Sequence, residues 1–428
     1  MKKQNILIAA FKDKEVRNAI LFTFGILIVY HIGCMIPTPG TIVQSLSEAV
    51  SGNSFLAMLN MLNGGALANF SIFALGVSPF ITASIIIQLL SMDVVPCLTE
   101  MTKSGEKGRV KLNRVTRWVG LAMAIVQAFG ITYGFDKQYG IMMYSNYKYY
   151  LYVITLLVGG YSVSVWLADK ISKHGIANGM SMIIFAGIVS SIPAIFKNTF
   201  TSLIVGETGN EMYTGVAWFA LFCLLYIVII LAVIWMETSF RRIHVYYSGQ
   251  AASSATKDAN YIPIKVNPAS VLPVIFAQSV TNVVLMVLSF ANHNVYEKVS
   301  DVLSLNSVLG LIIYALMVIL FTFLYSNLEL NPEQMADNLS KSGGYIMDIR
   351  PGRDTEKYLS KTISRVAVAG AIGLTVLAVL PYILSMCTDL PNATAIGGTG
   401  MIIVVGVAIE AVNAITSRTV SMKKPSFF

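Results

Sequence analysis

Apolar residues in this chain come in long unbroken runs, with neither strand alternation nor a narrow helical stripe. Ten such runs predict ten helices: Ala19–Ile36, Ile72–Met92, Trp118–Phe135, Tyr149–Leu167, Gly179–Phe196, Val216–Met236, Ala269–Ala291, Val308–Tyr325, Val366–Leu384 and Gly400–Ile415. A helix needs about 20 residues to cross the hydrocarbon core of a bilayer, and each run is close to that length. Period-two alternation is missing, which excludes a β-barrel. The expected fold is an all-α polytopic membrane protein. Ten spans divide into an N-terminal half, residues 1–200, and a C-terminal half, residues 201–428. Five is odd, so the second half starts on the side where the first ended. That topology permits an inverted repeat about an axis in the membrane plane.

One apolar segment is too short to span. Ser54–Leu67 follows the first run and ends in Asn63-Gly64-Gly65. This length reads as a re-entrant or an interfacial helix. Non-helical backbone at membrane depth must lie against protein or line a cavity. A short helix filling such a cavity is a plug; a helix resting at the outer interface is the other reading.

Composition agrees with a membrane domain: 55% of residues are hydrophobic and 12% charged, against about 25% charged in soluble proteins. The net charge of +8 could suggest a nucleic-acid partner, but its placement argues otherwise. Of 30 lysines and arginines, only Lys137, Lys148, Lys197 and Lys298 fall on one side of the predicted spans. The rest share the other side, which the positive-inside rule makes cytoplasmic, with both termini. The flank from Lys2 to Arg17 reads as a retained cytoplasmic segment rather than a cleaved signal. Cys34, Cys97, Cys223 and Cys387 form no CxxC and read as small apolar residues. Two cationic-side connections are long, Glu237–Pro268 and Ser326–Arg365. Their turn-rich tips read as binding loops or as plain connectors.

The spans lack the chemistry of pumps and enzymes. His31 stands alone in span one, and Glu410 lies toward one end of span ten. No carboxylate pair, HExxH, GxxxxGK[ST] or GxSxG occurs, so no catalysis and no metal or other cofactor is expected. Ion-coupled transport usually needs ionisable groups near the midplane. Gln88, Gln127, Gln278, Asn282, Thr82 and Ser84 are neutral and can bond helices weakly. A passive conduit or scaffold is favoured over a small-solute secondary transporter.

Longer motifs carry a resemblance. Gly64-Gly65-Ala66-Leu67 and Phe70–Gln88 (FSIFALGVSPFITASIIIQ) resemble the plug and second span of the SecY family, the pore subunits of bacterial protein-translocation channels. Asn178–Pro193 (NGMSMIIFAGIVSSIP), Arg241–Tyr247 (RRIHVYY), Lys265–Phe276 (KVNPASVLPVIF), Asn331–Leu339 (NPEQMADNL), Ile349–Gly352 (IRPG) and Gly397–Val405 (GGTGMIIVV) follow in the family's order. The resemblance implies two five-helix halves around an hourglass pore in the bacterial plasma membrane. It implies a pore ring of Val77, Ile81, Ile184, Ile275 and Ile403, with Met180 adjacent. Its plug would include Leu59, Asn60, Met61, Leu62, Asn63, Gly64, Gly65, Ala66 and Leu67. A lateral gate would open between spans two and seven, with Thr82, Gln127, Asn282 and Val283 at its seam. Arg241, Arg242 and Arg350, with Arg353 beside them, would dock the ribosome or the SecA motor. SecE and SecG-like subunits, signal-peptide-bearing substrates and membrane lipid complete the implied partners. His244 replaces a common proline, and Met347-Asp348 replaces a usual Pro-Gly, which raises an accessory paralogue with restricted substrates as the alternative. Branched aliphatics suit the ring, since a dry constriction excludes ions yet deforms around a moving chain.

Overall fold

The structure is a computed structural model that describes residues 13–42, 46, 54–92, 94–144, 146–204, 210–247, 261–289, 299, 302–303, 305, 307–387 and 392–423. The tip Ser248–Ala255 lies outside these residues, as do the side chains of Asn282, Val283 and Cys387. Eight described helices contain stretches long and apolar enough to cross a membrane. They are α1 (Lys14–Met35), α5 (Gly105–Tyr139), α6 (Tyr147–His174), α7 (Gly179–Ile204), α8 (Asn210–Thr238), α10 (Val308–Glu329), α12 (Arg353–Cys387) and α13 (Asn392–Lys423). Two helices with shorter apolar stretches, α3 (Ser78–Leu90) and α9 (Leu272–Ser289), occupy the places of spans two and seven. The small helices are α2 (Ser54–Leu62), α4 (Pro96–Lys103) and α11 (Pro332–Lys341).

Span two is shorter than Ile72–Met92. Residues 72–77 form turns, because Gly76 adopts a left-handed φ of +53° and Pro79 opens the helix behind it. Span seven starts at Leu272 rather than Ala269, after a turn in which Ser270 has φ +51°. Spans three and nine extend beyond their apolar runs, to Gly105 and Arg353. Their extensions carry the charges that the hydropathy pattern excluded from the spans.

The helices pair in a repeating order. In the first half, α3 packs on α5, α5 on α6, α6 on α7, and α1 on both α6 and α7. In the second half, α9 packs on α10, α10 on α12, α12 on α13, and α8 on both α12 and α13. Each pairing recurs with the span number raised by five. The halves meet where α7 touches α8 and α13, and where α9 touches α3 and α5. Large apolar side chains cover the outside, including Trp235 at 75% exposed and Leu231 at 61%. In water such a belt would aggregate; against lipid tails it is the matched surface.

The long connections on the cationic side build a small polar-faced unit. Strand β1 (Phe240–His244) pairs antiparallel with β3 (Tyr261–Lys265), from Phe240 opposite Lys265 to His244 opposite Tyr261. Strand β2 (Tyr246–Tyr247) pairs with β4 (Gly344–Tyr345), tying the two connections together. Ile243, Val245, Ile264, Leu339, Ile346 and Leu359 form its core. Helix α11 is capped by Asn331, whose Oδ1 accepts from Glu333 N at 3.1 Å and Gln334 N at 3.2 Å.

Candidate functional site

The short helix α2 packs on α7 and α13, within the bundle rather than on its outer surface. Met61 is buried in one apolar cluster with Ile184, Ile188, Ile275 and Ile403. Two glycines make room for it. A Cβ on Gly400 would stand 2.8 Å from Met61 Cε and 2.9 Å from Ile188 Cγ2. A Cβ on Gly187 would stand 2.8 Å from both Gly64 N and Leu62 O. Helix α2 ends at Leu62, short of the expected Leu67. Gly64 and Gly65 take φ of +68° and +84°, a region open to glycine without strain. Leu59, Asn60 and Leu62 are half-buried, while Asn63, Ala66 and Leu67 are buried.

Behind the helix the chain folds into a knot that satisfies its own backbone. Asn63 Nδ2 donates to Ala74 O at 2.9 Å, and Ala68 N donates to Asn60 Oδ1 at 2.8 Å. Gly65 N donates to Asn60 O at 2.8 Å, and Ser71 N to Ala66 O at 2.9 Å. Irregular backbone at this depth needs such partners. Span one holds the knot from the side. Cys34 Sγ donates to Asn63 O at 3.6 Å, and Tyr30 stacks on Phe73 with centroids 5.4 Å apart. Nothing in the sequence marks Cys34, Tyr30, Gly187 or Gly400 for these roles. A glycine or thiol in an apolar run reads alike whether it faces lipid or backbone.

The residues implied for the ring all lie in the broad apolar core of the bundle. Val77, Ile184, Ile275 and Ile403 are buried in a single cluster, with Ile81 and Met180 packed against it. They come from α7, α9, α13 and the start of α3. Val77 stands just ahead of α3, as its N-cap residue.

The seam between the halves is formed by α9 against α3 and α5. Thr82 is buried there, and its hydroxyl donates to Ser78 O within α3 at 3.2 Å rather than across the seam. Gln127 and Gln278 are buried on α5 and α9. Toward the cationic side the seam opens into a cavity. Ile85, Gln88 and Leu89 of α3, Phe276 of α9, and Phe321 and Tyr325 of α10 line it.

Arg241, Arg242, Arg350 and Arg353 are all exposed on the unit built from the two long connections. They differ in freedom. The Arg242 guanidinium lies 5.3 Å from the Phe240 ring and 5.0 Å from the Tyr261 ring, beside the stack that these two rings form. Asp348 adopts φ +63°, where aspartate is one of the few tolerated residues besides glycine.

Comparison with known proteins matches this arrangement. The SecY family model matches residues 71–412. Protein translocase subunit SecY of Lactococcus lactis subsp. lactis is 40% identical over 426 residues, covering 98% of this chain and 96% of that protein. Protein translocase subunit SecY of Mycoplasma capricolum subsp. capricolum is 37% identical, covering 98% and 91%. The fold is similar to a solved protein-conducting channel, with TM-score 0.67 at 18% identity, covering 96% of this chain and 94% of that one. It is also similar to Sec61 in the canine ribosome-channel complex, with TM-score 0.64 at 19% identity and the same coverage. The chain belongs to the SecY family.

Proposed function

We propose that this chain is the pore subunit of a protein-translocation channel. Unfolded secretory proteins pass through its centre, and apolar segments leave sideways between α3 and α9. The observation that carries the reading is the seat of α2. It rests against glycines of α7 and α13, in one apolar cluster with Ile184, Ile275 and Ile403. Here α2 is the plug, and Val77, Ile81, Met180, Ile184, Ile275 and Ile403 are the seal. Such a contact can close a pore without covalent or ionic bonds, and can reopen.

The relatives are translocase subunits of bacteria, which supports the bacterial plasma membrane as its place, with the cationic side facing the cytoplasm. Small membrane subunits of the SecE and SecG kinds would flank it. SecA or a ribosome would dock on the unit carrying Arg241, Arg350 and Arg353. The channel itself catalyses nothing, and the motor supplies the work. Met347, 65% exposed, and Asp348 in its left-handed turn alter this docking surface, which favours an accessory channel with a restricted set of exported proteins as the second reading. The test is reconstitution in vesicles with SecA and the small subunits. Protease-protected secretory protein inside the vesicles is expected; a protein that is never protected overturns the reading.

A further inference from the structure

The turn before α9 is held by more contacts than a simple helix start requires. Asn267 is 1% exposed and Glu237, at the end of α8, is 5% exposed. Asn267 Nδ2 donates to Glu237 Oε1 at 2.9 Å and to Ser270 O at 2.7 Å. Val266 N donates to Ser239 O at 3.0 Å, adding a second tie to the end of α8. The same turn is wedged from two further sides. A Cβ on Gly370 of α12 would run into the Val266 carbonyl oxygen. A Cβ on Gly406 of α13 would run into the Val271 side chain. Lys265 lies within electrostatic range of Glu237 and of Glu410 on α13.

The root of α9 is therefore embedded in three helices of the second half, while the helix itself leans on α3 and α5 of the first. Helix α9 is 18 residues long, about 27 Å at 1.5 Å per residue, so a 10° tilt at the root moves its far end by about 5 Å. We propose that Asn267 and Glu237 are positioning residues that fix this root and so set the resting separation of α9 from α3. The proposal rests on the reading of that seam as a side gate. The pair suits the role because a buried carboxylate that loses one of its donors is left less well compensated, with Ser270 and Lys265 as its remaining partners. Rotation of the root would break the directional Asn267–Glu237 hydrogen bond along with the backbone tie from Val266 to Ser239.

The test is a distance measurement on the full chain in lipid nanodiscs. The four native cysteines are replaced, and spin labels are placed through Ile86→Cys on α3 and Val284→Cys on α9. Asn267→Ala and Glu237→Ala are expected to lengthen or broaden the α3–α9 distance by about 3 Å, because Val284 stands about 18 Å from the root at 1.5 Å per residue. Glu237→Gln, which keeps an oxygen acceptor for Asn267, should overlay the parent distribution. Asn267→Leu keeps the volume while removing the donor, and should shift as Ala does if Asn267→Ala fails to assemble. Thermal melting is recorded on the same samples. A lowered Tm with an unmoved distance would make the pair merely structural and overturn the proposal, as would a Gln variant that shifts as far as Ala. The distance needs no translocating protein. Failure of the parent channel to pass a secretory protein would count against the proposed function and leave the clamp standing on the distance alone.

Discussion

Gly187 of α7 and Gly64 at the end of the plug approach so closely that a Cβ on Gly187 would lie 2.8 Å from Gly64 N. The opposing atoms are backbone, so they cannot swing aside as a side chain could.

Gly187→Ala should therefore unseat the plug while leaving α7 intact. Alanine is the better helix former by about 1 kcal/mol, which favours the span itself. Overpacking costs about 1–3 kcal/mol, and such a difference shifts a two-state ratio about 5- to 150-fold. Single-channel recording should show a resting leak in Gly187→Ala. Gly159→Ala, where a Cβ would meet nothing within 4 Å, should stay tight.

The ring should behave as a seal rather than as ordinary core. Ile81→Ser with Ile275→Ser is expected to wet the constriction and raise resting ion conductance. Val318 on α10 belongs to the same cluster, is fully buried, and is outside the ring. Val318→Ser should lower Tm with no added leak. Equal leak from the ring pair and from Val318→Ser would remove the distinction between them.

Much of this architecture was legible in the runs of apolar residues, and some of it was not. Hydropathy located the spans because lipid demands apolar length. It could not place the break before Ser78, which depends on Gly76 in a left-handed turn against Asn63. Gly187, Gly400 and Gly25 look alike in sequence, yet the first two face the plug and the last has open space. The strands around Arg241 and Tyr345 were missed because strands of two to five residues leave no periodic signal. Ring and plug positions came from the family resemblance, because a lone isoleucine carries no mark of the pore.

Arg241, Arg350 and Arg242, proposed to dock the partner, should not respond alike. Arg241→Glu and Arg350→Glu should impair motor-driven export with normal channel assembly, because their side chains are exposed where they can meet an acidic or RNA partner. Arg242 also holds the hairpin through Phe240 and Tyr261. Exposed contacts of this kind contribute about 0.5–1 kcal/mol, so Arg242→Glu should add a measurable rise in protease nicking of the loop. Identical protease profiles for all three variants would argue against that second role.

The plug knot should depend on Asn63. Its Nδ2 reaches Ala74 O at 2.9 Å, while Cys34 Sγ donates to the Asn63 carbonyl oxygen. Losing a buried hydrogen-bond partner costs about 1–3 kcal/mol. Asn63→Ala should raise the reactivity of the buried Cys34 thiol toward a membrane-permeant maleimide several-fold. Unchanged labelling would mean that the knot holds without the side chain.

With the seam as a side gate, α3 and α9 part whenever a protein uses the channel. The most direct measurement is a cysteine pair, Thr82→Cys with Val283→Cys, in a chain without native cysteines. Opening requires the helices to separate by about a helix width, ~10 Å, which a disulfide or short crosslinker forbids. Secretory-protein passage should stop on crosslinking, return on reduction, and survive a long flexible crosslinker. Efficient short crosslinking with passage unchanged would contradict the account.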